Sequence, residues 1–123
     1  AEKVAKIADN IPLQEIEDGE ASGKVLILGW GSTFGAIKAA TKELIDDGYS
    51  VSHAHIRYVF PFPKNLEEIL RSYDTVLIPE MNMGQLSVLI RDKFLIDTIG
   101  LNKVQGSPFT KGDIKKKALE ILN

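Results

Sequence analysis

An apolar run followed by three closely spaced glycines most tightly limits how this chain can fold. Residues 24–35 read KVLILGWGSTFG, and the run over 24–28 predicts a strand that is buried on both faces, as in a parallel sheet. A tight turn follows, supplied by Gly29, Gly31 and Gly35. Ser32 or Thr33 then stands where a side-chain oxygen caps a helix. Strand, glycine turn and helix make the first half of a βαβ unit.

Composition fits one ordinary globular domain. The chain has 123 residues, of which 44% are hydrophobic and 26% charged, and its net charge is −2. Such a balance gives no general attraction to nucleic acid or to anionic membranes, and we expect neither partner. The sequence has no cysteine, so no thiolate here can bind zinc or an iron–sulfur cluster.

The sequence also favours a cytoplasmic protein. Disulfides are excluded, and no apolar run approaches the roughly 18–20 residues that span a bilayer. Residues 1–10 carry charges of both signs, unlike a signal peptide. Because the chain begins with Ala1 rather than methionine, we expect that residues preceding it were removed.

The rest of the chain alternates between strand and helix patterns. The predicted strands are 11–17, 24–29, 50–56, 75–78 and 95–99, the third parallel strand ending at Pro79 and the last at Gly100. The predicted helices are 1–8, 33–47, two that begin with capping boxes at Asn65/Glu68 and Asn82/Gln85, and a final helix that Thr110 and Asp113 open. This order predicts an α/β sheet with helices on both faces. We divide the chain into a linker remnant with an edge strand, 1–23, and one α/β domain, 24–123.

The glycine turn nearly matches a dinucleotide-binding fingerprint. The third glycine comes one position late, and no acidic residue ends the next predicted strand, where Arg57 instead could face a 2′-phosphate. The lysine of a P-loop is also missing. The glycines therefore serve either a sharp turn that packs the helix on the sheet, which we favour, or an anion site at Gly29, Gly31, Ser32 and Thr33.

Two other groups of polar residues stand out. His53 and His55 are two apart on a predicted strand, so they share a face. They form either a buried or interface pair held by hydrogen bonds, which we favour, or a metal site with Glu80 as third ligand. Glu80 begins a polar segment, 80–85, at the carboxyl end of a strand, where open α/β sheets bind ligands. Helix capping explains Asn82 and Gln85 but leaves Glu80 unexplained. No catalytic constellation is visible.

Four segments together carry a resemblance to a known family. They are GWGSTFG (29–35), HIRYVFPFP (55–63), PEMNMGQL (79–86) and GLNKVQGSPF (100–109). In this order and spacing they resemble the C-terminal domain of the alpha subunit of 2-oxoacid:ferredoxin oxidoreductases, closest to the 2-oxoglutarate type. That domain is similar to the C-terminal domain of transketolase. The resemblance implies a three-layer α/β/α sandwich whose five strands have the order 1-3-2-4-5, with the first antiparallel.

The resemblance also implies an activity for a larger enzyme. Such enzymes decarboxylate a 2-oxoacid on thiamine diphosphate with Mg²⁺, pass electrons through an iron–sulfur cluster to ferredoxin, and transfer the acyl group to coenzyme A. In the family, thiamine diphosphate lies between an N-terminal alpha-subunit domain and the beta subunit. We therefore expect no cofactor in this chain, no catalytic residue and no metal.

The resulting hypothesis is a structural and interaction domain. Its loop edge would contact the N-terminal domain of the same subunit or the beta subunit through His55, Arg57, Glu80, Asn82 and Gln85, with Glu80 and Asn82 hydrogen-bonding across the interface. One alternative is a module that binds coenzyme A or a nicotinamide nucleotide at the glycine turn. A third is a signalling domain like flavodoxin or a receiver, although the clustered aspartates of a receiver are absent.

Overall fold

The computed structural model describes residues 10–81, 84–103 and 107–123, and its centre is a five-stranded sheet. The strands are β1 (Ile16–Asp18), β2 (Gly23–Trp30), β3 (Val51–Ile56), β4 (Tyr73–Met81) and β5 (Ile99–Lys103). Their order is β1-β3-β2-β4-β5; β1 runs antiparallel to β3, and the other pairs are parallel. The predicted sheet order and the antiparallel first strand are confirmed.

Helices cover both faces of the sheet. Within the described ranges they are α1 (Phe34–Asp46), α2 (Leu66–Arg71), α3 (Gln85–Phe94) and α4 (Lys111–Leu122), and a 3₁₀ turn, Gly31–Thr33, precedes α1. None of these helices has the length and apolar character that crossing a membrane requires. The helix predicted over 1–8 lies outside the described residues.

The core consists of two apolar layers, because alternate residues of each strand point to opposite faces. Leu26 and Leu28 of β2 belong to the layer under α2 and α3, which also contains Leu86 and Ile90. Ile27 belongs to the layer under α1 and α4, which contains the following helical residues: Ile37, Ala40, Leu44, Ile114 and Ala118. The central strand is thus buried on both faces, as its unbroken apolar run predicts.

The last strand was predicted wrongly at 95–99. Helix α3 continues to Phe94, and Leu95 is its C-cap residue, with φ 58° and 84% of its surface exposed. The chain then crosses to the sheet and pairs only from Ile99 onward. An apolar run directly after a helix is therefore not itself the strand.

The predicted end of the third parallel strand at Pro79 is also wrong. Strand β4 continues to Met81, and Pro79 pairs with Leu101 of β5. Pairing between β4 and β2 ends at Leu77, so Pro79 has a ladder neighbour on only one side. A strand edge tolerates the missing N–H of proline.

Within the described residues, a capping box forms at the start of α4, the helix that Thr110 and Asp113 were predicted to open. The Thr110 hydroxyl accepts from the Asp113 N–H, and the Asp113 carboxylate accepts from the Thr110 N–H. At α2, the Asn65 side chain instead bonds the backbone of Gln14. Helix α3 has Gly84 at its N-cap position rather than Asn82, which lies outside the described residues. The Thr33 cap of α1 is likewise absent, because the Thr33 hydroxyl donates backward to the Trp30 carbonyl at 3.0 Å.

Candidate functional site

The crevice between the ends of β2 and β4 is the position at which this topology places a ligand site. From β2 the chain passes through α1 to β3 on one side, and from β4 it passes through α3 to β5 on the other. Open α/β sheets bind ligands where neighbouring strands diverge in this way, at their carboxyl ends. We call the edge at which β2, β3, β4 and β5 end the carboxyl edge.

Two side chains of the domain itself occupy this crevice. Trp30 is the last residue of β2, and its indole Nε1 donates to Oε1 of Glu80 on β4 at 3.1 Å. Glu80 is only 2% exposed, and Trp30 is partly buried against the layer under α2 and α3. The crevice is therefore closed from within by a hydrogen bond between its two walls.

The same carboxylate also holds the first turn of α3. Glu80 Oε1 accepts from the Leu86 N–H at 2.7 Å, and Oε2 accepts from the Ser87 N–H at 3.1 Å and the Ser87 hydroxyl at 3.2 Å. Gly84 at the N-cap has no side chain to do this. A negative charge here also interacts favourably with the positive end of the helix dipole. A hydrogen bond from Glu80 across an interface would have to replace one of these four.

The glycine turn fits the packing role that the sequence favours. A Cβ at Gly29 would lie 2.5 Å from Ile37 Cδ1 and 3.1 Å from Thr33 Oγ1, so α1 approaches β2 too closely for a side chain. Gly31 adopts the left-handed region at φ 65°, which glycine enters without strain. The anion site at Gly29, Gly31, Ser32 and Thr33 stays a prediction.

The two histidines lie on the opposite face from Glu80. His53 is fully buried and His55 is 8% exposed, and the Phe34 ring of α1 packs against both at centroid distances of 5.2 and 5.1 Å. The predicted burial is confirmed, but the predicted hydrogen bonds are absent: within the described residues, both ring nitrogens of His53 and Nδ1 of His55 have no partner. In that part of the chain no three His, Cys, Asp or Glu side chains come close enough to hold a metal ion.

Burial keeps both imidazoles uncharged. Removal from water lowers the pKa of His53 from 6.5 to about 4, with a smaller contribution from the neighbouring His55. Burial also lowers the pKa of His55, assisted by the positive charge of Arg57. The pair therefore behaves as part of the core at neutral pH.

The predicted interface residues fall into two groups. Arg57 donates to the Glu17 carboxylate at 3.2 Å and to the His55 carbonyl at 3.4 Å, so His55 and Arg57 lie together beside β1. Exposed Gln85 lies with Glu80 at the start of α3. Their role in an interface stays a prediction.

Two features escaped sequence reasoning. The partnership of Trp30 with Glu80 spans fifty residues, and the one signal for it was a lone tryptophan inside a glycine turn. The second feature is an apolar groove of about 350 Å³ between the 59–62 segment and α3, where Phe60 is 81% exposed. An exposed aromatic in a loop has no periodic pattern that would predict it.

The family of the chain follows from comparison with known proteins. The pyruvate:ferredoxin oxidoreductase core domain II family model matches residues 23–113. The chain belongs to that family. This core domain II chain is 41% identical over 105 residues to the 2-oxoglutarate oxidoreductase subunit KorA of Mycobacterium tuberculosis, covering 85% of this chain and 16% of the relative. It is 30% identical over 125 residues to subunit alpha of 2-oxoacid:ferredoxin oxidoreductase 2 of Aeropyrum pernix, covering 98% and 20%. It thus spans a fifth or less of either relative.

Solved structures agree with the core domain II assignment. A 2-oxoglutarate:ferredoxin oxidoreductase from Magnetococcus marinus, solved with 2-oxoglutarate, coenzyme A and succinyl-CoA bound, superposes with a TM-score of 0.89 at 29% identity, over 97% of this chain and 21% of that one. The alpha chain of a probable 2-oxoacid ferredoxin oxidoreductase from Thermoplasma acidophilum gives 0.60 at 27%, over 89% and 97%. A split-gene transketolase gives 0.63 at 19%, over 89% and 42%, and shares the fold alone.

Proposed function

We propose that this core domain II chain is a docking domain of the alpha subunit of a thiamine-diphosphate-dependent 2-oxoacid:ferredoxin oxidoreductase that uses 2-oxoglutarate. The 41% identity to a 2-oxoglutarate oxidoreductase subunit supports the enzyme class. The reaction would be oxidative decarboxylation of the 2-oxoacid to an acyl-CoA with reduction of ferredoxin. The N-terminal domain of the same subunit and the beta subunit would be its partners, in the cytoplasm.

The closed crevice is the observation that carries the docking role. At the position where this topology would accept a ligand, Trp30 donates a hydrogen bond to Glu80. The Glu80 carboxylate also accepts hydrogen bonds from the backbone of its own domain. An open pocket with unpaired polar groups would favour ligand binding instead. A closed crevice therefore supports a contact role for the carboxyl edge over a catalytic one.

The iron–sulfur cluster of such an enzyme does not fit the side chains of this chain. A thiolate-bound iron–sulfur cluster needs cysteines, and the sequence has none. We propose that thiamine diphosphate, Mg²⁺ and the cluster are bound by other parts of the complex, and that coenzyme A is its acyl acceptor.

Purification under native conditions tests this function. With an affinity tag on the full-length subunit that contains this chain, we expect it to elute with partner subunits in a complex that reduces a viologen dye only with a 2-oxoacid and coenzyme A. Elution without partners and without that activity would contradict the proposal. Heat on titrating the chain with coenzyme A or a nicotinamide nucleotide, abolished by Gly31→Val, would support a binding module at the glycine turn instead.

A further inference from the structure

Glu80, near the end of β4, forms hydrogen bonds to the end of β2 and to the first turn of α3. We propose that Glu80 is a positioning residue, which holds Trp30 and the first turn of α3 in the arrangement in which this edge contacts the rest of the enzyme. The inference rests on the proposed function and deepens it. It assigns Glu80 a role behind the docking surface, in place of a hydrogen bond across the interface.

The register of the sheet is the first argument. The ladder between β2 and β4 pairs Val25 with Thr75 and ends at Ile27 with Leu77. Trp30 and Glu80 each lie three residues further along, so they continue the same register past the last ladder pair. Their side-chain hydrogen bond at 3.1 Å therefore joins the strands at the point where backbone pairing has stopped.

The burial of the carboxylate is the second argument. A charged group that is 2% exposed is costly unless hydrogen bonds replace the water it has lost, and Glu80 has four such bonds. Capping α3 alone would need only a short polar residue at its N-cap, as Thr110 provides for α4. A carboxylate from β4 that also binds the indole fixes the position of the helix relative to β2.

The indole N–H of Trp30 is a direct probe of this arrangement, because Trp30 is the only tryptophan in the sequence. In the ¹⁵N-labelled 123-residue chain, Glu80→Gln replaces one acceptor oxygen by an NH₂ group, and we expect the indole N–H to exchange with solvent about tenfold faster or more. Glu43→Gln is the control. It makes the same change in a partly exposed carboxylate paired with Lys111 and Lys115 on the α1–α4 side, and should leave the resonance unchanged. Equal exchange in Glu80→Gln and the unsubstituted chain would overturn the proposal.

Assembly of the full-length subunit separates positioning from simple stabilisation. At a temperature at which the unsubstituted and variant subunits are both folded by circular dichroism, we expect Glu80→Gln to weaken association with the partner subunit about tenfold or more, and Glu43→Gln to have no effect. Trp30→Phe, which removes the indole donor together with part of the ring that packs on the core, should weaken association in the same direction. It also serves as the test if Glu80→Gln does not fold.

Two results of that experiment have different meanings. Normal association of a folded Glu80→Gln subunit with an exposed indole N–H would reduce Glu80 to a structural residue and overturn the positioning role. Failure of the proposed function would give a different result: the unsubstituted full-length complex would have no 2-oxoacid-dependent reductase activity. The exchange measurement on the chain is independent of that activity.

Discussion

The imidazole rings of His53 and His55 lie on one face of β3 with their centroids 6.3 Å apart, and neither His53 nitrogen has a partner among the described residues. Protonation of His53 would place a charge in an apolar layer. The carboxylates of Glu17 and Asp18 favour the charged form, whereas His55 and Lys38 oppose it. Burial outweighs the carboxylates, so the pKa of His53 falls to about 4.

Acid should therefore begin to destabilise the fold near pH 6.5, before most carboxylates titrate. Between pH 6.5 and 4 the unfolded chain binds a proton at His53 that the folded chain does not, so the free energy of unfolding rises with pH across this window. We expect a loss of about 2 kcal/mol between pH 7 and pH 5. Urea unfolding at several pH values measures it. His53→Leu is the control, and its free energy of unfolding should decline much less with falling pH. An equal decline would show that groups other than His53 cause the effect.

Gly29 should not tolerate a side chain. A Cβ there would lie 2.5 Å from Cδ1 of fully buried Ile37 and 3.3 Å from His55 Nδ1, so at least one of these side chains would have to shift. We expect Gly29→Ala to lower the free energy of unfolding by about 1–3 kcal/mol. The matched control is Gly35→Ala, at an exposed helical position with nothing within 4 Å of the added carbon. Unfolding of both variants at the same urea concentration would contradict the close packing of α1 on β2.

The capping box of α4 should contribute measurably to stability. Thr110→Ala removes the hydroxyl that accepts from the Asp113 N–H at 3.1 Å, and we expect a loss of about 1 kcal/mol in the free energy of unfolding. Ser32→Ala serves for comparison, since Ser32 was a predicted cap of α1 and the structure shows no side-chain cap there. A larger loss for Ser32→Ala than for Thr110→Ala would reverse this assignment of the caps.

Replacing Leu95 by glycine should stabilise the fold. It is 84% exposed and has φ 58°, a conformation in which its Cβ is strained and its side chain contributes little burial. We expect Leu95→Gly to raise the midpoint of thermal unfolding, by an amount equivalent to about 0.5–1 kcal/mol. Leu95→Ala shortens the side chain but keeps the Cβ, so it should give no such gain. A gain in both variants would attribute the effect to the lost leucine side chain.

Sequence patterns located the sheet but not the bonds that complete its carboxyl edge. The apolar run of β2 and the two-residue spacing of His53 and His55 report burial directly, because alternation and run length follow from sheet geometry. The strand was predicted wrongly at 95–99 because an apolar residue at a helix C-cap cannot be distinguished from a strand residue by its sequence pattern alone.

Long-range hydrogen bonds have no local pattern. Asn65 satisfies the backbone of Gln14, fifty-one residues away, instead of capping α2. Glu80 was singled out because capping left it unexplained, and it proved to provide the acceptors for α3 that the predicted cap at Asn82 was expected to supply. Which polar residue satisfies a helix end depends on the tertiary fold, so local spacing did not predict the partner of Asn65.

Reductase activity of the full-length complex with and without residues 24–123 tests the docking role most directly. The intact complex should reduce a viologen dye with 2-oxoglutarate and coenzyme A, and deletion of the domain should abolish both this activity and the association of the subunits. A deletion variant that still assembles and turns over at the intact rate would contradict the account.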